Sequence, residues 1–467
     1  MQRRKFLARS AQAVAGAAVL RRASWALAAQ DAGRKAVVAP PVGTGPARLN
    51  VRAAAFVAHG DGTTKDTAAL QKALDACAAH GGGEVLLPAG RYLTGALRLG
   101  NNTRLRLAEG AELAGTDDFA DYPVGKVRWE GRYIDGHEAL VYARDAKGVG
   151  ISGPGKITGN DAMGGRPTPD QPLRHPALIE FSNCSGVHLQ GFSTSYHRMW
   201  SIHPTNSRNI LIEDLTIRST GGNGDGIDVD SCQHVNIRRC DIATGDDCIS
   251  LKSGRGLEGY NLHQVTEDVT ISDCTFADAI FACIGIGSET SGGIRHVRIE
   301  NCKFTAAKTF AIYIKSRPGR GAFLFDISAE NLEVSGTGGG FLRINMLNSG
   351  LLGEDPVPGA DGIPSPTGFQ FINVKVQDVP VLVDALSIHP DKPLRGLVLR
   401  NITGTCRKGI TLANVQDAVL EKIAVTGYTG PLLSVANVTG QGLEGAVTVD
   451  GPKLPPAAVA PATATSY

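Results

Sequence analysis

The segments ILIEDLTI (residues 210–217) and VNIRRCDI (residues 235–242) carry apolar residues at the same four positions: the first, third, sixth and eighth. VTISDCTF (269–276) and VRIENCKF (297–304) repeat the pattern, and VHLQGF (187–192) shares its first six positions. Successive copies start 23, 25, 34 and 28 residues apart. Positions 1 and 3 alternate as in a short strand, and position 6 fits a bend before a second strand. Each copy therefore predicts two short strands joined by a bend.

A repeat period in the twenties with short strands is typical of a solenoid. Leucine-rich repeats share this period, but their Leu/Asn pattern is absent here. A parallel β-helix fits better, because like residues then stack inside successive coils about 4.8 Å apart. Weaker copies of the pattern follow, namely FLFDISAENLEV, FQFINVKV, LVLRNITG and AVLEKIAV. The longer steps imply added loops, which would form the walls of a cleft.

A helix is predicted near the start of this array, at DTAALQKALDACAA (residues 66–79). Leu70, Leu74 and Cys77 share one face, Asp66 is a candidate N-cap, and the glycines at 81–83 end the helix. The first coil of a β-helix leaves an open apolar end, which an amphipathic helix can cover. We therefore expect an all-β fold, a right-handed parallel β-helix (solenoid) with an N-terminal capping helix.

The first thirty residues, MQRRKFLARSAQAVAGAAVLRRASWALAAQ, have the features of an export signal. Arg3 and Arg4 precede a mild apolar stretch that is too short for a transmembrane helix, and small residues suited to cleavage follow. An uncleaved anchor helix is the alternative. We predict a twin-arginine signal at 1–28, a linker at 29–50, the β-helix domain at 51–450 and a disordered tail at 451–467. The mature protein would be periplasmic or secreted.

Charge and cysteine content exclude several classes. The 467 residues include 47 Lys and Arg and 45 Asp and Glu; without the signal, 41 basic residues remain, a net charge of about −4. This balance argues against a nucleic-acid-binding protein. We expect no membrane span in the mature protein, and a monomer. Nine cysteines are present, and three recur at position 6 of the repeat, so we expect core residues rather than disulfides or a zinc site.

Carboxylates cluster in two neighbouring copies of the repeat. Asp225 lies 21 residues, about one coil, before Asp246, and Asp247 follows at once. Stacking then places all three on one face, among glycines that allow close approach of a ligand. Cleavage of a glycosidic bond needs one protonated carboxyl to donate to the leaving oxygen and an ionised one to activate water or attack the sugar. Repulsion between neighbours would keep one of them protonated.

Two other interpretations of these residues exist. Aspartates often cap backbone amides in turns, and for Asp228 and Asp230 we favour that role. A calcium site is the third possibility, but the spacing matches no calcium loop. For Asp225, Asp246 and Asp247 the residues alone leave catalysis and turn capping open.

The sequence resembles glycoside hydrolase family 28, the polygalacturonases and their pectin-degrading relatives, from about residue 56 to 405. The opening segment at 60–99 looks like that of the family. Five further motifs appear in family order, WSIHP (200–204), NGDGIDV (223–229), GDDCISLKSG (245–254), IGSETSGG (286–293) and YIKSRPGRG (313–321).

The resemblance implies an inverting hydrolase that needs no metal, acting on a pectic, anionic polysaccharide. The family's Asn-Thr-Asp motif corresponds to Asn223, Gly224 and Asp225, and its Asp-Asp pair to Asp246 and Asp247. Asp246 would be the general acid, and Asp225 and Asp247 would hold and deprotonate the attacking water.

Two family positions differ. The polygalacturonase His is missing, since Phe281, Ala282 and Cys283 stand there, and the Arg-Ile-Lys motif reads Tyr313-Ile314-Lys315. A Tyr cannot form the bidentate pair that Arg forms with a sugar carboxylate. Rhamnogalacturonan hydrolases of the family are similar in both respects, so the sugar on the leaving side is expected to be neutral.

Candidate substrate contacts follow from the same motifs. Asn223, Tyr313 and Lys315 lie in them. Lys252 follows Asp246 at an even spacing, which favours a ligand contact, and an exposed surface Lys is the alternative. His203 lies one coil before Asp225, with coil stacking as its alternative role. Arg317 and Arg320 would replace the missing charge or lie in a solvated loop, and Trp200 is expected to pack.

Two other functional classes stay open at this point. A β-helix lyase would need calcium and a basic residue as the base. A β-helix that only binds carbohydrate would keep the fold without the reaction, because fold alone does not establish activity. The sequence does not distinguish attack at chain ends from attack within chains, which depends on loops at 115–138, 253–267 and 345–366.

Overall fold

One parallel sheet of 32 strands winds into a right-handed β-helix, as predicted. The computed structural model describes residues 41–196, 198–350 and 353–456. The predicted export signal, residues 29–40 of the predicted linker and residues 457–467 of the predicted tail lie outside these ranges. Strands begin at Ala47, inside the predicted linker, and the last ends at Thr448.

Within the described residues the strands are short in the first half of the chain and longer in the second. In chain order they are β1 Ala47–Asn50, β2 Asp61–Lys65, β3 Gly83–Leu87, β4 Gly90–Thr94, β5 Leu97–Arg98, β6 Thr103–Leu107, β7 Ala111–Gly115, β8 Val124–Trp129, β9 Arg132–His137, β10 Val141–Arg144, β11 Lys147–Ser152, β12 Lys156–Thr158, β13 Ile179–Ser182, β14 Ser185–Gln190, β15 Ser193–Ser195, β16 Ile202–Thr205 and β17 Arg208–Glu213. They continue with β18 Thr216–Arg218, β19 Ile227–Asp230, β20 Gln233–Arg238, β21 Asp241–Ala243, β22 Ile249–Lys252, β23 Thr266–Ser272, β24 Thr275–Ala277, β25 Ile284–Ile286, β26 Ile294–Glu300, β27 Lys303–Phe304, β28 Phe310–Lys315, β29 Phe323–Val334, β30 Gly340–Asn345, β31 Ser365–Ser387, β32 Leu394–Thr426, β33 Leu433–Gln441 and β34 Val447–Thr448.

Each central coil contributes three strands, and corresponding strands stack in three rows. The repeat segments supply the first two rows: β17, β20, β23 and β26 carry positions 1 and 3, and β18, β21, β24 and β27 carry position 8. Position 1 stacks as Val187, Ile210, Val235, Val269 and Val297, all fully buried or nearly so. This register confirms the predicted stacking of like residues.

The bend before position 6 has a common backbone feature. Asp214, Arg239, Asp273 and Asn301 occupy position 5 of four copies, and each has a positive φ between 53° and 58°. Asn and Asp tolerate this left-handed conformation better than other residues with side chains, because their short polar groups bond locally. The left-handed residue turns the chain so that position 6 points inward again.

The third row lies between successive repeat segments and carries the site. It runs through β10, β13, β16, β19, β22, β25, β28 and β30. Ile202, Ile227, Ile249 and Ile284 stack on its inner side. Since side chains alternate along a strand, Asp228, Ser250 and their counterparts face away from the core.

The predicted capping helix is confirmed as α1, Thr67–Ala79. It buries Leu70, Ala73, Leu74 and Cys77 against the first strands. Asp66 stands at the N-cap position, but its carboxylate does not cap the helix. It accepts hydrogen bonds from the amides of His59 and Gly60 instead, at 2.7 and 2.8 Å. The predicted capping role was therefore wrong, because a preceding loop competes for the same oxygens.

Two insertions break the regular coil. β8 and β9 form an antiparallel hairpin before β10, and a short helix α2, Gly256–Leu262, follows β22. Short 3₁₀ turns occupy Phe119–Asp121, Asp161–Met163 and Gly359–Gly362.

All nine cysteines are buried and free, as predicted. Within the described part of the chain, no helix is long and apolar enough to cross a membrane.

Candidate active site

The three predicted aspartates meet at the start of two neighbouring strands of the third row. Asp225 lies two residues before β19, and Asp246 and Asp247 lie just before β22. One carboxylate oxygen of each lies within 4.8 Å of the others. Asp225 and Asp247 are buried, whereas Asp246 is half-buried and reaches the surface. The expectation that one coil of separation brings the three side chains together is met by this geometry.

Glycines make the close approach of these two segments possible. A Cβ atom on Gly245 would lie 2.1 Å from the carbonyl oxygen of Gly221, and one on Gly226 would lie 2.5 Å from that of Cys248. Asn223 has a positive φ of 61°, and its amide donates to Oδ2 of Asp246 at 3.2 Å. The backbone of Asn223 therefore orients Asp246.

Asp247 is fixed by three donors from three coils. Its Oδ2 accepts from Nζ of Lys315 at 2.8 Å and from Oγ of Ser250 at 2.9 Å. Its Oδ1 accepts from the amide of Ala282 at 2.9 Å. Gly285 leaves room for the ion pair, since a Cβ there would lie 2.4 Å from Oδ2. At the position where the family His is missing, the chain thus still contributes a backbone donor.

Lys252 lies among the carboxylates rather than on the surface. Its Nζ is 2.6 Å from Asp228, 3.9 Å from Asp225 and 4.3 Å from the centre of the Trp200 ring. Burial lowers the pKa of Lys252, but the charges of Asp228, Glu289 and Asp225 outweigh burial and raise it well above the usual value. Lys252 therefore stays charged and offsets part of the negative charge of the cluster.

Two members of the cluster retain protons more strongly than isolated aspartates. Burial raises the pKa of Asp225 well above its usual value, and the charges of Asp228 and Asp246 raise it further. Burial and the adjacent Asp247 also raise the pKa of Asp246, although Lys315 and Lys252 oppose the change. The protons belong to the set as a whole. The cluster can therefore hold a protonated carboxyl beside an ionised one, as acid–base catalysis requires.

The remaining predicted contacts differ in how much surface they offer. His203 is fully buried, its Nδ1 lies 3.1 Å from Glu180, and its ring packs against Trp200. It offers no surface to a sugar, so the placement agrees with coil stacking and not with the predicted sugar contact. Tyr313 is 6 % exposed, and its hydroxyl accepts from Nδ2 of Asn345 at 3.2 Å. Trp200 is buried, as expected.

Sequence reasoning missed Phe281. This half-buried ring stacks on Tyr313 with ring centres 5.7 Å apart, and Nζ of Lys315 lies 4.4 Å from its centre. Phe281 is thus the more exposed aromatic surface beside the cluster. The available signal was its place next to Ala282, where the family carries a different residue.

Asp228 and Asp230 both have structural roles. Both lie in β19 and are buried, Asp228 against Lys252 and Asp230 against Nε of Arg128 at 3.0 Å. Oδ1 of Asp230 also accepts from the backbone amide of Gly254 at 3.1 Å, so it caps an amide as predicted, although from a strand rather than a turn. For Asp228 the predicted turn role was wrong, because it lies on a strand and pairs with Lys252. Arg320 is likewise buried and pairs with Glu354 at 2.9 Å, whereas the half-buried Arg317 donates to the carbonyl of Gly350.

The three carboxylates are the one group within the described residues whose acidic, His or Cys ligand atoms converge closely enough to hold a metal ion. Calcium prefers 6–8 oxygen ligands, about twice what three monodentate aspartates supply. Lys315 and Lys252 already lie against Asp247 and Asp225. The cluster is therefore compensated by cations that the chain itself provides.

Comparison with known proteins adds the family. A model of the glycosyl hydrolases family 28 matches residues 77–343, more than half of the chain. A probable polygalacturonase of Vitis vinifera is 29 % identical over 366 residues, which cover 74 % of this chain and 72 % of that protein. An exo-poly-alpha-D-galacturonosidase of Dickeya chrysanthemi is 27 % identical over 318 residues, 57 % of this chain and 52 % of that one.

Solved structures share the fold. A hyperthermoactive exopolygalacturonase from Thermotoga maritima superposes with a TM-score of 0.72 at 24 % identity, covering 84 % of this chain and 94 % of that one. An endo-xylogalacturonan hydrolase from Aspergillus tubingensis gives 0.52 at 17 % identity, covering 84 % and 98 %. At these identities the likeness concerns the β-helix alone.

Proposed function

The chain belongs to glycosyl hydrolase family 28, and we propose that it hydrolyses a pectic, uronate-containing polysaccharide by acid–base catalysis with inversion. The observation that carries the proposal is the cluster of Asp225, Asp246 and Asp247. It combines two carboxyls of raised pKa with a third that is ion-paired to Lys315.

Asp246 is the proposed general acid. It is the member of the cluster that reaches the surface, and its raised pKa keeps a proton available for the leaving oxygen. Two backbone amides hold its carboxyl, from Asn223 at 3.2 Å and Asp247 at 3.0 Å. Its position is thus fixed by the main chain.

Asp225 and Asp247 are proposed to hold the attacking water. A water about 2.8 Å from each of two oxygens can bridge acceptors up to about 5.6 Å apart, and the closest oxygens of this pair lie within 4.8 Å. The water loses a proton to one carboxylate as its oxygen bonds to the anomeric carbon. The bond from this carbon to the leaving oxygen breaks, and the leaving oxygen takes the proton of Asp246. Hydrolysis then leaves two sugar ends.

Inversion is proposed from the family resemblance. The oxygens lie closer than the separation of about 6.5–9.5 Å that is usual for inverting pairs, so spacing alone does not support it. The first anomer formed tests this directly by time-resolved NMR. Inversion predicts that the new reducing end has the configuration opposite to that of the cleaved bond, and the same configuration would contradict it.

A neutral sugar on the leaving side is the proposed specificity. Tyr313 replaces the family Arg that would pair with a sugar carboxylate. The two nearby cations already have carboxylate partners: Lys315 pairs with Asp247, and Arg343 lies 3.3 Å from Asp384. The aromatic faces of Phe281 and Tyr313 suit the apolar face of a deoxy sugar.

Reducing-end release from polygalacturonate and rhamnogalacturonan, measured side by side, tests the specificity. We expect rhamnogalacturonan to be preferred; comparable rates on pure polygalacturonate would contradict a neutral sugar on the leaving side.

Chelator and ultraviolet absorbance identify a lyase, since calcium-dependent elimination leaves an unsaturated uronate. Export by the twin-arginine route is proposed from residues 1–28, and cleavage after residue 28 in the exported protein would support it.

A further inference from the structure

Outward-facing side chains of β13 and β16 are buried, although they point away from the core. In an uncovered groove these positions would meet solvent or substrate, as their alternation with inward residues dictates. They form the part of the third row that precedes Asp225 in the stack, and comprise Glu180, Ser182, His203 and Thr205, none more than 8 % exposed.

The β8–β9 hairpin contributes to this cover. Arg128 in β8 is buried and reaches Asp230 in β19 at 3.0 Å. Arg174, also buried, pairs with Glu180 and donates to the carbonyl of Arg128 at 3.0 Å. Trp129 stacks on Trp200 with ring centres 4.7 Å apart. The hairpin thus lies across coils that follow its own.

A chain of buried ion pairs fixes the hairpin. Glu130, between β8 and β9, pairs with Arg255 at 2.8 Å; Arg255 pairs with Glu354 at 2.8 Å; Glu354 pairs with Arg320 at 2.9 Å. The hairpin, the segment that opens α2 and the segment around Glu354 are therefore joined. These belong to the three loops whose conformation decides whether the groove is closed.

The β8–β9 hairpin contacts residues that lie next to the proposed catalytic aspartates. Trp200 lies between the ring of Trp129 and Nζ of Lys252, at 4.7 and 4.3 Å, and Lys252 lies 3.9 Å from Asp225. A chain of contacts thus runs from Trp129 through Trp200 and Lys252 to the carboxylate of Asp225. Trp200 and Lys252 are both buried, so they present almost no surface to further sugars on this side.

A surface trough lies next to the cluster in the chain. It has a volume of about 470 Å³, its lining includes Thr244, two residues before Asp246, and Ile280, next to Phe281, and none of its lining residues belongs to the hairpin. It crosses successive coils, lined by Thr244, Ile280, Ala306 and Lys308, and Ile280 is 45 % exposed. Coils lie about 4.8 Å apart, so the trough spans the length of several sugars.

We propose that the hairpin makes the groove blind beside Asp225, so that the enzyme binds a chain end and releases a short product of fixed length. This inference rests on the proposed function. It names the substrate class more closely: the terminus of a pectic chain, with the rest of the chain in the open trough.

The test compares fractions of polygalacturonate and rhamnogalacturonan that have equal mass but different chain length. With the wild-type protein we expect an initial rate proportional to the number of chain ends, one product size from the first time point, and a slow fall in viscosity. A mixture of sizes from the start, with a rate independent of chain ends, would overturn the blind groove and leave hydrolysis standing.

Absence of hydrolysis would instead count against the proposed function. Binding of the same fractions, measured by calorimetry, then decides the groove: affinity that follows the number of ends supports it, and affinity that follows mass, or no binding, overturns it.

Variants of the hairpin test whether it closes the groove. Trp129→Ala should release products longer than those of the wild type, whereas Val124→Ala, at an exposed position of the same hairpin, should leave the products unchanged. If Trp129→Ala does not fold, Glu130→Gln, which weakens the pair with Arg255, takes its place. Unchanged products from a folded variant of this kind would overturn the assignment of the wall to the hairpin.

Discussion

Nζ of Lys315 lies 2.8 Å from Oδ2 of Asp247, although 68 residues separate them in the chain. Both side chains are almost fully buried. Burial lowers the pKa of Lys315, but the charge and hydrogen bond of Asp247 together with the charges of Glu289 and Asp246 outweigh burial, so the pKa is raised above its usual value. Lys315, which was expected to contact substrate, is therefore already paired with a proposed catalytic carboxylate, Asp247.

Replacing Lys315 by Met should reduce both stability and activity. Removing one partner of a buried ion pair costs about 3–5 kcal/mol, because the other charge stays buried without compensation. Chemical denaturation and kcat measure the two effects. Lys303→Met is the matched control, since Lys303 pairs with Glu333 at an exposed site, where such pairs contribute at most about 1 kcal/mol. Equal losses in both variants would contradict the role of Lys315.

Asp225→Asn should stabilise the protein at neutral pH. The pKa of Asp225 is raised in the folded state, so its proton is lost more easily on unfolding, and the ionised carboxylate costs folded-state stability as pH rises above 3.8. Asn removes that cost. The gain in melting temperature should be present at pH 7 and vanish below pH 3.8, where the carboxyl is protonated in both states.

Asp170→Asn, at an exposed position, is the control for this measurement and should shift the melting temperature little. A variant of Asp225 that melts at or below the wild-type temperature at pH 7 would argue against a buried, charge-crowded carboxyl.

Lys252→Met should move the acidic limb of the kcat/KM profile to higher pH. The ammonium group lowers the pKa of Asp225 and Asp228, so its loss raises both further. A base that must be ionised is then protonated at higher pH, and activity begins to fall earlier on acidification. Lys375→Met, exposed on β31, should leave the limb in place. An unshifted limb in Lys252→Met would exclude Asp225 as the titrating base.

Tyr313→Arg should shift specificity toward polygalacturonate. A charge-assisted hydrogen bond contributes about 1.5–3 kcal/mol, which corresponds to roughly a tenfold or larger change in the ratio of kcat/KM values for the two polymers. Tyr313→Phe loses the hydroxyl bonded by Asn345 without adding charge, and should leave the ratio unchanged. The same ratio in all three proteins would mean that position 313 does not face the leaving sugar.

The fold was predictable because residues that stack in successive coils recur at similar positions in the sequence repeat. Val187, Ile210, Val235 and Val269 recur at one register because each must fill the same place in successive coils. The cluster followed for the same reason, since Asp225 and Asp246 are one coil apart. The hydrogen-bond partners of Asp66 were not predictable in this way, because two sets of backbone donors compete for its carboxylate.

Contacts across insertions were not predictable. Between Asp247 and Lys315 the insertion that carries α2 lengthens a coil, so residue counting no longer gives the stack position. The β8–β9 hairpin carries no repeat pattern, and its cover over His203 and Asp230 depends on Arg128 reaching a strand 102 residues later. Such reach depends on loop geometry, which the periodicity of the strands does not encode.

The role of Asp246 as general acid can be tested by reducing-end release from polygalacturonate and rhamnogalacturonan, measured for the wild-type protein and Asp246→Asn in the presence of chelator. We expect the wild type to hydrolyse at least one polymer in chelator, without unsaturated products. The variant should fold normally and lose about 10²–10⁴ of the rate, the contribution expected of a general acid. Unchanged release by the variant would contradict the role of Asp246, and wild-type activity that disappears in chelator would contradict hydrolysis without a metal.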